Sequence, residues 1–574
     1  MKNGLILLLS FIWVMMAQAQ SNYYVALSGN DGNSGTSIGQ AWRTIQHAMG
    51  EATPNSVVHI LAGTYNEKVE VYVSGTAGNR IVFRNYEDDV VVVSGTGISY
   101  PDAVIGIFDQ SFVTIQGLQV ANNEQLDAQG IIVEGNCQAV EIRDNDISNI
   151  NFSSNPNMTA NATRNSQPLI VYGSDANNAV TDLVIDGNTV RDSRTGYSEG
   201  LAVNGNVNGF VVTNNVVRDI ANIGIDVIGH EGTASSNDQA RNGLVKNNLV
   251  YDCKSPYATA GGIYVDGGKD IVIEQNTIYQ CQWGIEVGCE NIGKTTSNIT
   301  VRNNFIYNND DAGLAIGGFD FPSGSGKVVN CAFMNNTCYN NDVNANGIGG
   351  VSGEINITYT ENCTLENNIF YATNSADILL YVADVNSINL EFDYNQFYMQ
   401  GAVEWEYEGA VYSDLSSYQT ATGQDANSIF SDPSFVDTSL PDLHISATSS
   451  AKDAGNPNFV PSTNEEDIDG EYRLNGGLDC GADEHYFATG IHVYATDSDI
   501  DIYPNPFVNK VVLDGDFDNY EIKVFGVGGV LITDFTGTSS PLTIDLSTLG
   551  SGIFFVSVRH LSKEKLSICK IIKE

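Results

Sequence analysis

Three short segments of similar sequence place acidic and phenolic side chains at matching positions. The segments GIDVIGHEG (224–232), GGIYVDGG (261–268) and WGIEVGCEN (283–291) share the pattern glycine, apolar, any, apolar, any. In a strand the apolar side chains point to one face and the intervening ones to the other. The outward positions carry Asp226, Tyr264, Asp266 and Glu286. Carboxyl groups brought together in this way can act as general acid and base, or bind a cation through their oxygens.

A second repeated phrase predicts that these strands lie side by side. Each strand is followed by apolar-any-apolar-any-any-Asn-any-apolar, as in IVIEQNTI and ITVRNNFI. A constant phrase at variable spacing is typical of a solenoid with one coil per repeat and loops at the insertions. We expect its asparagines to form an inward ladder that bonds to turn backbone. They are Asn145, Asn188, Asn215, Asn248, Asn276, Asn304, Asn336, Asn368 and Asn395.

Stacked coils define the expected geometry of the candidate site. At ~4.8 Å per coil, Asp226 and Glu286 should lie about 9–10 Å apart in backbone terms, with Tyr264 between them and Asp266 beside it. The insert 231–243 is long enough to form one wall. The residues at the flanking outward positions are small, which predicts a groove with an open floor. They are Ala202, Gly288, Ala315 and Gly317. The adjoining loops carry further polar candidates: His230, Glu231, Glu290 and Lys294.

Composition limits the classes of partner. The chain has 69 acidic residues against 26 Lys and Arg, a formal charge of −43, which argues against nucleic acid or an anionic membrane. Lys2, an apolar run over 5–16 and the small-residue site at 17–19 predict a secretory signal peptide. No later apolar run reaches the ~20 residues that span a bilayer, so no membrane span is predicted. We expect a soluble, monomeric protein outside the cell.

The nine cysteines show no C-x-x-C pair, so neither a zinc site nor a disulfide framework is indicated. Cys253 and Cys281 occupy equivalent repeat positions, as do Cys331 and Cys363. We expect them to stack in the core. Export permits a disulfide within either pair, and the sequence leaves that question open.

The two ends of the chain carry recognisable segments. An amphipathic helix with Ile45, Ala48 and Met49 on one face, followed by VVHILAGTYNEKVEV, resembles the amino-terminal cap of secreted right-handed β-helix proteins, including several polysaccharide lyases. The acid-rich stretch 430–486 resembles their closing segment. Its acidic run either holds a cation or forms a solvated loop, and we favour the loop. The last part, with DIYPNPF and glycine turns, resembles the type IX secretion sorting domain of Bacteroidetes. That resemblance implies transport by the type IX secretion machinery and a secreted or cell-surface location.

These patterns predict an all-β fold, a right-handed parallel β-helix with an N-terminal cap helix and a small C-terminal β-sandwich. The expected segments are a signal peptide (1–19), a cap with the first coils (20–100), the parallel β-helix (101–430), a closing segment (431–490) and the sorting domain (498–574).

The resemblance to secreted polysaccharide-degrading proteins implies a carbohydrate-active enzyme, and three activities remain open. The first is β-elimination on a uronate-containing polysaccharide or oligosaccharide, which the family resemblance favours slightly. In that case Ca²⁺ would bind Asp226, Asp266, Glu286 and Glu290. Tyr264, His230 or Lys294 would serve as base or acid.

The second activity is glycoside hydrolysis with Asp266 and Glu286 as the paired carboxyls, since adjacent coils bring such groups to the separations that glycosidases use. The third is a structural calcium site in a non-catalytic glycan-binding protein or adhesin. The fold alone does not distinguish among the three.

Overall fold

Short strands stacked in register make up most of the chain. The structure is a computed structural model that describes residues 20–161, 163–318, 323–344, 353–373, 378–383, 387–401, 404–439, 441–463, 465–485 and most of 500–573. The predicted signal peptide, 1–19, lies outside the described residues. The chain divides into two compact units, Met1–Glu484 and His485–Glu574. The predicted closing segment therefore falls almost entirely in the first unit, and the predicted sorting domain falls in the second.

Three long parallel sheets make up most of the first unit, and most coils contribute one strand to each sheet. The first sheet contains, in the described residues, Ser21–Val25, Ser56–Ile60, Ile81–Asn85, Val113–Gln116, Glu141–Arg143, Val180–Asp186, Val207–Thr213, Arg241–Lys246, Lys269–Glu274, Thr295–Arg302, Lys327–Val329, Ala332–Met334, Thr360–Glu361, Thr364–Glu366 and Glu391–Asp393.

The second sheet carries the three acidic segments. Its described strands are Val69–Val71, Ala103–Phe108, Ala128–Glu134, Ser166–Gly173, Leu201–Gly205, Ile225–Ile228, Gly261–Asp266, Trp283–Gly288, Ala312–Ile316, Gly353–Ile357, Leu380–Val382, Trp405–Tyr407 and Ala410–Tyr412. The last of these pairs antiparallel and ends the sheet.

The third sheet completes each coil. Its described strands are Gly63–Tyr65, Val91–Ser94, Gln119–Glu124, Asp146–Asn151, Thr189–Ser193, Val216–Ile220, Leu249–Cys253, Thr277–Tyr279, Phe305–Tyr307, Thr337–Tyr339, Ile369–Ala372, Gln396–Met399 and Ile429–Phe430. The all-β, parallel solenoid predicted from the repeats is confirmed.

Nine stacked asparagines hold the turn between the first and third sheets. In each step one side-chain amide donates to the carbonyl oxygen of the next asparagine, as from Asn248 to Asn276 at 2.9 Å and from Asn276 to Asn304 at 3.0 Å. The same amide also donates to strand backbone of the preceding coil, as from Asn276 to Val245 O at 3.0 Å. All nine side chains are buried. The predicted inward ladder is present, and it adds side-chain-to-side-chain bonds to the expected bonds with backbone.

The interior between the sheets is a continuous apolar core of valine, isoleucine and leucine. The predicted cysteine stacks are part of it, since the thiols of Cys253 and Cys281 contact each other, as do those of Cys331 and Cys363. The eight cysteines whose side chains the structure describes are buried free thiols.

Separate elements cover the two ends of the solenoid. The predicted cap helix spans Ile45–Glu51 and buries Ile45, Ala48 and Met49, with the Thr44 side chain accepting from the His47 amide at its start. A short 3-10 helix, Ile38–Gln40, precedes it, and helix Leu415–Thr422 lies at the far end. Among the described residues, no helix is both long and apolar enough to cross a membrane.

The closing segment runs back along the coils, as predicted. It begins with the antiparallel pair Phe435–Asp437 and Asp442–Ile445. Farther on, Asn456 N donates to Asn367 Oδ1 at 2.7 Å, and Glu465 and Glu466 form ion pairs with Arg302 and Lys246 of earlier coils. The expectation of a solvated acidic loop is wrong for part of the run, since Glu465 and Asp467 are buried while Asp469 is exposed. Asp467 and Glu484 are buried, and backbone amides of the segment donate to their carboxylates, which offsets the cost of burying them.

The second unit is a small antiparallel β-sandwich, as predicted. One sheet contains Ile500–Tyr503, Lys510–Gly515 and Leu542–Asp545, and the other contains Leu531–Gly537, Tyr520–Gly526, Gly552–His560 and Leu566–Lys573. Its core includes Phe507, Leu513, Ile522 and Val556.

The ladder yields a stability prediction. Asn276→Ala removes the bonds to Asn248, Asn304 and Val245 and leaves buried polar groups without partners, so we expect the β-helix to lose at least ~2 kcal/mol of unfolding free energy. Urea unfolding followed by circular dichroism measures it. Asn177→Ala, in an exposed loop, is the matched control. Equal midpoints for the two variants would show that the ladder does not contribute to stability.

Candidate active site

The outward residues of the second sheet form one row in register. Successive strands pair the same position of each repeat, which puts Tyr264 between Asp226 and Glu286 as the spacing predicted. The row continues toward both ends of the sheet. In order it comprises Ala202, Asp226, Tyr264, Glu286, Ala315 and Asn356. Asp266 stands beside this row, paired with Gly288.

Asp226 and Asp266 are buried and Glu286 is half-buried, which corrects the expectation that these acids face solvent. Asp226 is 3% exposed, and Tyr264 and Asp266 are 4% exposed. Loops pack over the strands: Thr233 of the insert donates to Asn204 Oδ1 at 2.6 Å, and the Glu290 amide donates to Asp266 Oδ1 at 2.7 Å. Strand alternation predicted the face correctly, but the loops determine whether that face meets water.

A cavity of about 530 Å³ opens on the C-terminal side of the row. Of the predicted site residues, Tyr264, Glu286 and Glu290 line it. The remaining wall is formed by Ile223, Ala258, Thr259, Trp283, Cys289, Ala315, Ile316, Gly317, Gly318, Asn356 and Thr358. The predicted open floor is therefore present at Ala315 and Gly317. It is closed on the other side, where Ala202 packs in an apolar cluster with Ile170 and Ile228.

Burial and mutual repulsion keep protons on this cluster. Burial raises the pKa of Asp226 well above its usual range, and Glu199 and Asp266 raise it further. Burial also raises the pKa of Glu286 well above its usual range, and the charges of Glu290 and Asp266 raise it further. The pKa of Tyr264 also rises well above its usual value, through burial and then the charges of Asp266 and Glu286. Within the described structure Asp226 Oδ1 has no hydrogen-bond partner.

Glu199 is a member of the cluster that sequence reasoning missed. Burial, together with the charges of Glu290 and Glu231, raises the pKa of Glu199 to about 7. Among the charges that raise the pKa of Asp226, that of Glu199 contributes most. It occupies the repeat position just before the strand glycine, the position of Ile223 and Trp283 in later coils. Both of those residues line the cavity. Comparison of that position across the repeats is the sequence signal that identifies Glu199 as a candidate.

The carboxylates that converge as possible metal ligands differ in part from the predicted set. Oxygens of Glu231, Asp266 and Glu290 lie within 4.8 Å of one another. Asp266 and Glu290 were expected in such a group, and Glu231 joins them from the insert. Asp226 and Glu286, the other two expected ligands, are not in this converging group. Three carboxylates supply the hard oxygen donors that Ca²⁺ prefers, although it requires six to eight oxygens in all.

The two basic residues predicted for the site, His230 and Lys294, lie away from the described wall of the cavity. His230 packs against Gly267, and its Nε2 lies 3.3 Å from both Thr295 O and the Gln239 amide nitrogen. Burial lowers its pKa. Lys294 is exposed on the loop that follows Glu290. Neither is among the residues lining the cavity.

The buried acids predict a pH-dependent stability. Because the folded-state pKa of Asp226 exceeds its unfolded value of ~3.9, the folded protein binds the extra proton and stability falls as pH rises through that window. Asp226→Asn removes this titration. Between about pH 5 and about pH 8, in EDTA, we expect its melting temperature to fall less than that of the native protein. The exposed Asp88→Asn is the control, and parallel melting curves for Asp226→Asn and native protein would contradict the prediction.

Comparison with known proteins agrees with this architecture. Residues 237–430 match the model of the right handed beta helix region, and residues 501–574 match the secretion system C-terminal sorting domain. The sorting domain identifies a protein that is secreted or held at the cell surface. The predicted right-handed β-helix and the type IX sorting domain are confirmed.

Three individual proteins are similar to the chain. YwoF of Bacillus subtilis, an uncharacterized protein, is 37% identical over 445 residues, 75% of this chain and 92% of that one. Pectate lyase PEL9 of Emericella nidulans is 32% identical over 90 residues, 15% of this chain and 22% of that one. The crystal structure of pectate lyase Pel9A aligns with a TM-score of 0.44 at 15% identity, over 82% of this chain and 97% of that one. On the extent of its identity with YwoF, this chain belongs to the same protein family as YwoF, and its residues 237–430 form a right handed beta helix region.

Proposed function

We propose that the protein is a secreted carbohydrate-active enzyme that hydrolyses a glycosidic bond in the cavity beside Tyr264. One observation carries the proposal: Glu286 and Glu290 both reach the wall of the same cavity, one from a strand and the other from a loop. Two carboxyl groups flanking one bond are the machinery of most glycoside hydrolases. A relative named as a pectate lyase, matched over 90 residues, adds support for a carbohydrate substrate.

The rest of the wall suits a sugar. Trp283 and Ile223 offer apolar surface, and Asn356, Thr259 and Thr358 offer polar groups. Within the described residues, Trp283 Nε1 and Asn356 Oδ1 are buried and have no hydrogen-bond partner. An apolar wall with a few fixed polar atoms is typical of small-molecule sites.

The environments of the two glutamates assign their roles. Glu286 lies deeper, and burial together with Glu290 and Asp266 raises its pKa well above the usual range, so it keeps its proton. Glu290 is more exposed, and burial with the charge of Glu231 raises its pKa as well. We give Glu290 the ionised role because it is the more exposed of the two. In the proposed reaction Glu286 donates a proton to the glycosidic oxygen as the carbon–oxygen bond breaks. Ionised Glu290 attacks the sugar carbon or takes a proton from the attacking water.

Asp266 acts as a positioning residue in this proposal. Its Oδ1 accepts the Glu290 backbone amide at 2.7 Å, which fixes the start of the loop that carries Glu290. Asp266 is buried and does not line the cavity as described. The proposed pair therefore replaces Asp266 of the sequence-based pair with Glu290 and retains Glu286.

Charge favours a neutral glycan over a uronate. The titratable groups on the described wall are Tyr264, Glu286, Cys289 and Glu290, so every one that ionises becomes negative. A uronate carboxylate would be repelled unless a cation offsets that charge.

Metal-assisted β-elimination is the second candidate, and the converging oxygens of Glu231, Asp266 and Glu290 favour it. A Ca²⁺ held there would neutralise a uronate carboxylate and acidify its C5 proton. Tyr264 is placed to exchange a proton with the substrate, but its raised pKa keeps the phenol protonated, so little phenolate is present to take up the C5 proton. Hydrolysis therefore stands ahead of elimination.

The hydrolysis proposal predicts the effect of two isosteric variants. Glu286→Gln and Glu290→Gln should each lower kcat by at least ~10²-fold, because each removes one proton-transfer or nucleophilic group. Glu124→Gln, an exposed carboxyl on the third sheet, is the control. In the native enzyme, activity should fall as pH rises through the raised pKa of Glu286, because the acid must be protonated. Full activity in both glutamine variants would refute the assignment.

A substrate panel separates the remaining candidates. Purified 20–497 is incubated with neutral and uronic-acid polysaccharides, with and without EDTA. Hydrolysis predicts new reducing ends without unsaturated-uronate absorbance, and EDTA should not abolish them. Unsaturated uronate that disappears with EDTA and returns with Ca²⁺ would replace this proposal with elimination. Glycan binding without any cleavage would indicate the non-catalytic alternative.

A further inference from the structure

A second cavity lies on the same outward face of the second sheet, near its first strands. Its volume is about 300 Å³. It is lined by Val69, Glu70, Tyr100, Pro101, Asp102, Ala103, Gly106, Phe108, Gln129, Ile132 and Glu134. The proposed catalytic residues are all on later coils.

The register connects this N-terminal cavity to the site described above. Gly106 and Ile132 occupy the same outward row as Tyr264, through unbroken residue-to-residue pairing. Five coil steps separate Gly106 from Tyr264, or ~24 Å at ~4.8 Å per step. Between the two cavities the row is covered, since Ile170 and Ala202 are buried. A long ligand would therefore contact the sheet at two separate places.

Aromatic rings are the main feature of the N-terminal cavity. A Cβ on Gly106 would come within 2.4 Å of the Phe108 ring, so a glycine there lets that ring lie across the sheet. Tyr100 is 83% exposed. The backbone next to it is fixed, because Lys68 Nζ donates to Pro101 O at 2.7 Å and Gln129 N donates to Asp102 O at 3.0 Å. The tyrosine thus projects from an anchored segment.

Carboxylates surround these rings. Glu70, Asp102 and Glu134 line the same cavity, and the hydroxyl of Tyr72 donates to Glu70 Oε2 at 3.3 Å. Carboxylates accept hydrogen bonds from hydroxyl groups, and aromatic faces pack against apolar surface. A sugar ring presents both features, because its hydroxyls lie around the edge and its C–H groups form the faces. The negative charge of these acids disfavours an anionic ligand.

We propose that the N-terminal cavity is an ancillary binding site for a neutral glycan, and that it holds a distant part of the chain cleaved beside Glu286. The identity of that chain rests on the proposed function. The binding itself does not, because the site needs only a sugar to occupy it. The enzyme would then act on polymers or long oligosaccharides that reach ~24 Å or more across the sheet.

Binding and cleavage are measured separately. Affinity electrophoresis of the mature protein through gels containing soluble xylan, mixed-linkage β-glucan, galactomannan or polygalacturonate reports binding without any need for turnover. On at least one neutral polymer we expect native protein and Glu286→Gln to be retarded, and Tyr100→Ala to lose at least fivefold in affinity. Tyr472→Ala, which removes a tyrosine that is 54% exposed elsewhere, is the control. On a cleaved polymer, Tyr100→Ala should lower kcat/KM at least fivefold more than on a short glycoside.

Three outcomes would overturn the proposal. They are no retardation of the native protein on any neutral polymer, equal retardation of Tyr100→Ala and native protein, or a preference for polygalacturonate. Retardation that depends on Tyr100 without cleavage of any glycan would retain the ancillary site and reject the proposed hydrolysis. Cleavage that is insensitive to Tyr100 on every chain length, with no loss of binding, would reject the ancillary site and retain the hydrolysis.

Discussion

In-register parallel stacking is the constraint on which this structure depends. Each ladder asparagine bonds to the next and to backbone of the preceding coil, so one coil cannot slip relative to its neighbour without breaking a buried chain of hydrogen bonds. The same register runs through all three sheets. Variation in loop length between asparagines is tolerated because loops leave the coil without altering this pairing.

Stacking also creates the electrostatics of the site. Since equivalent positions meet at every step, Asp226, Tyr264 and Glu286 are neighbours through register alone. Loops then exclude water, and Glu199, Glu231 and Glu290 add charge from outside the row. Buried acids this close cannot all ionise, so protons or a bound cation must balance them. A scaffold that imposes close spacing thus produces carboxyls with raised pKa, which general acid catalysis requires.

What the sequence predicts well follows from periodicity. The repeat phrase places Asn145 through Asn395 in the ladder, and strand alternation places Asp226 and Glu286 on the outward face. Periodicity carries no information about what lies above that face. The burial of Asp226, the entry of Glu231 from the insert and the displacement of His230 toward Gln239 all depend on loop paths. The buried acids of the closing segment escaped prediction for the same reason, since Asp467 and Glu484 are held by amides of their own loop.

Under the two proposals, one row of the solenoid serves two different functions. Along it, Gly106 admits an aromatic ring, Ile170 and Ala202 seal the surface, and Tyr264 and Glu286 line the cavity of the proposed proton transfer. The backbone at all these positions is nearly the same, so the side chain and the covering loop alone set the local chemistry. A change at one coil alters its own segment of the row and leaves the pairing of the others intact. An extended ligand that spans several coils would therefore be bound through separate, independently adjustable contacts, which suits a chain of repeating sugar units.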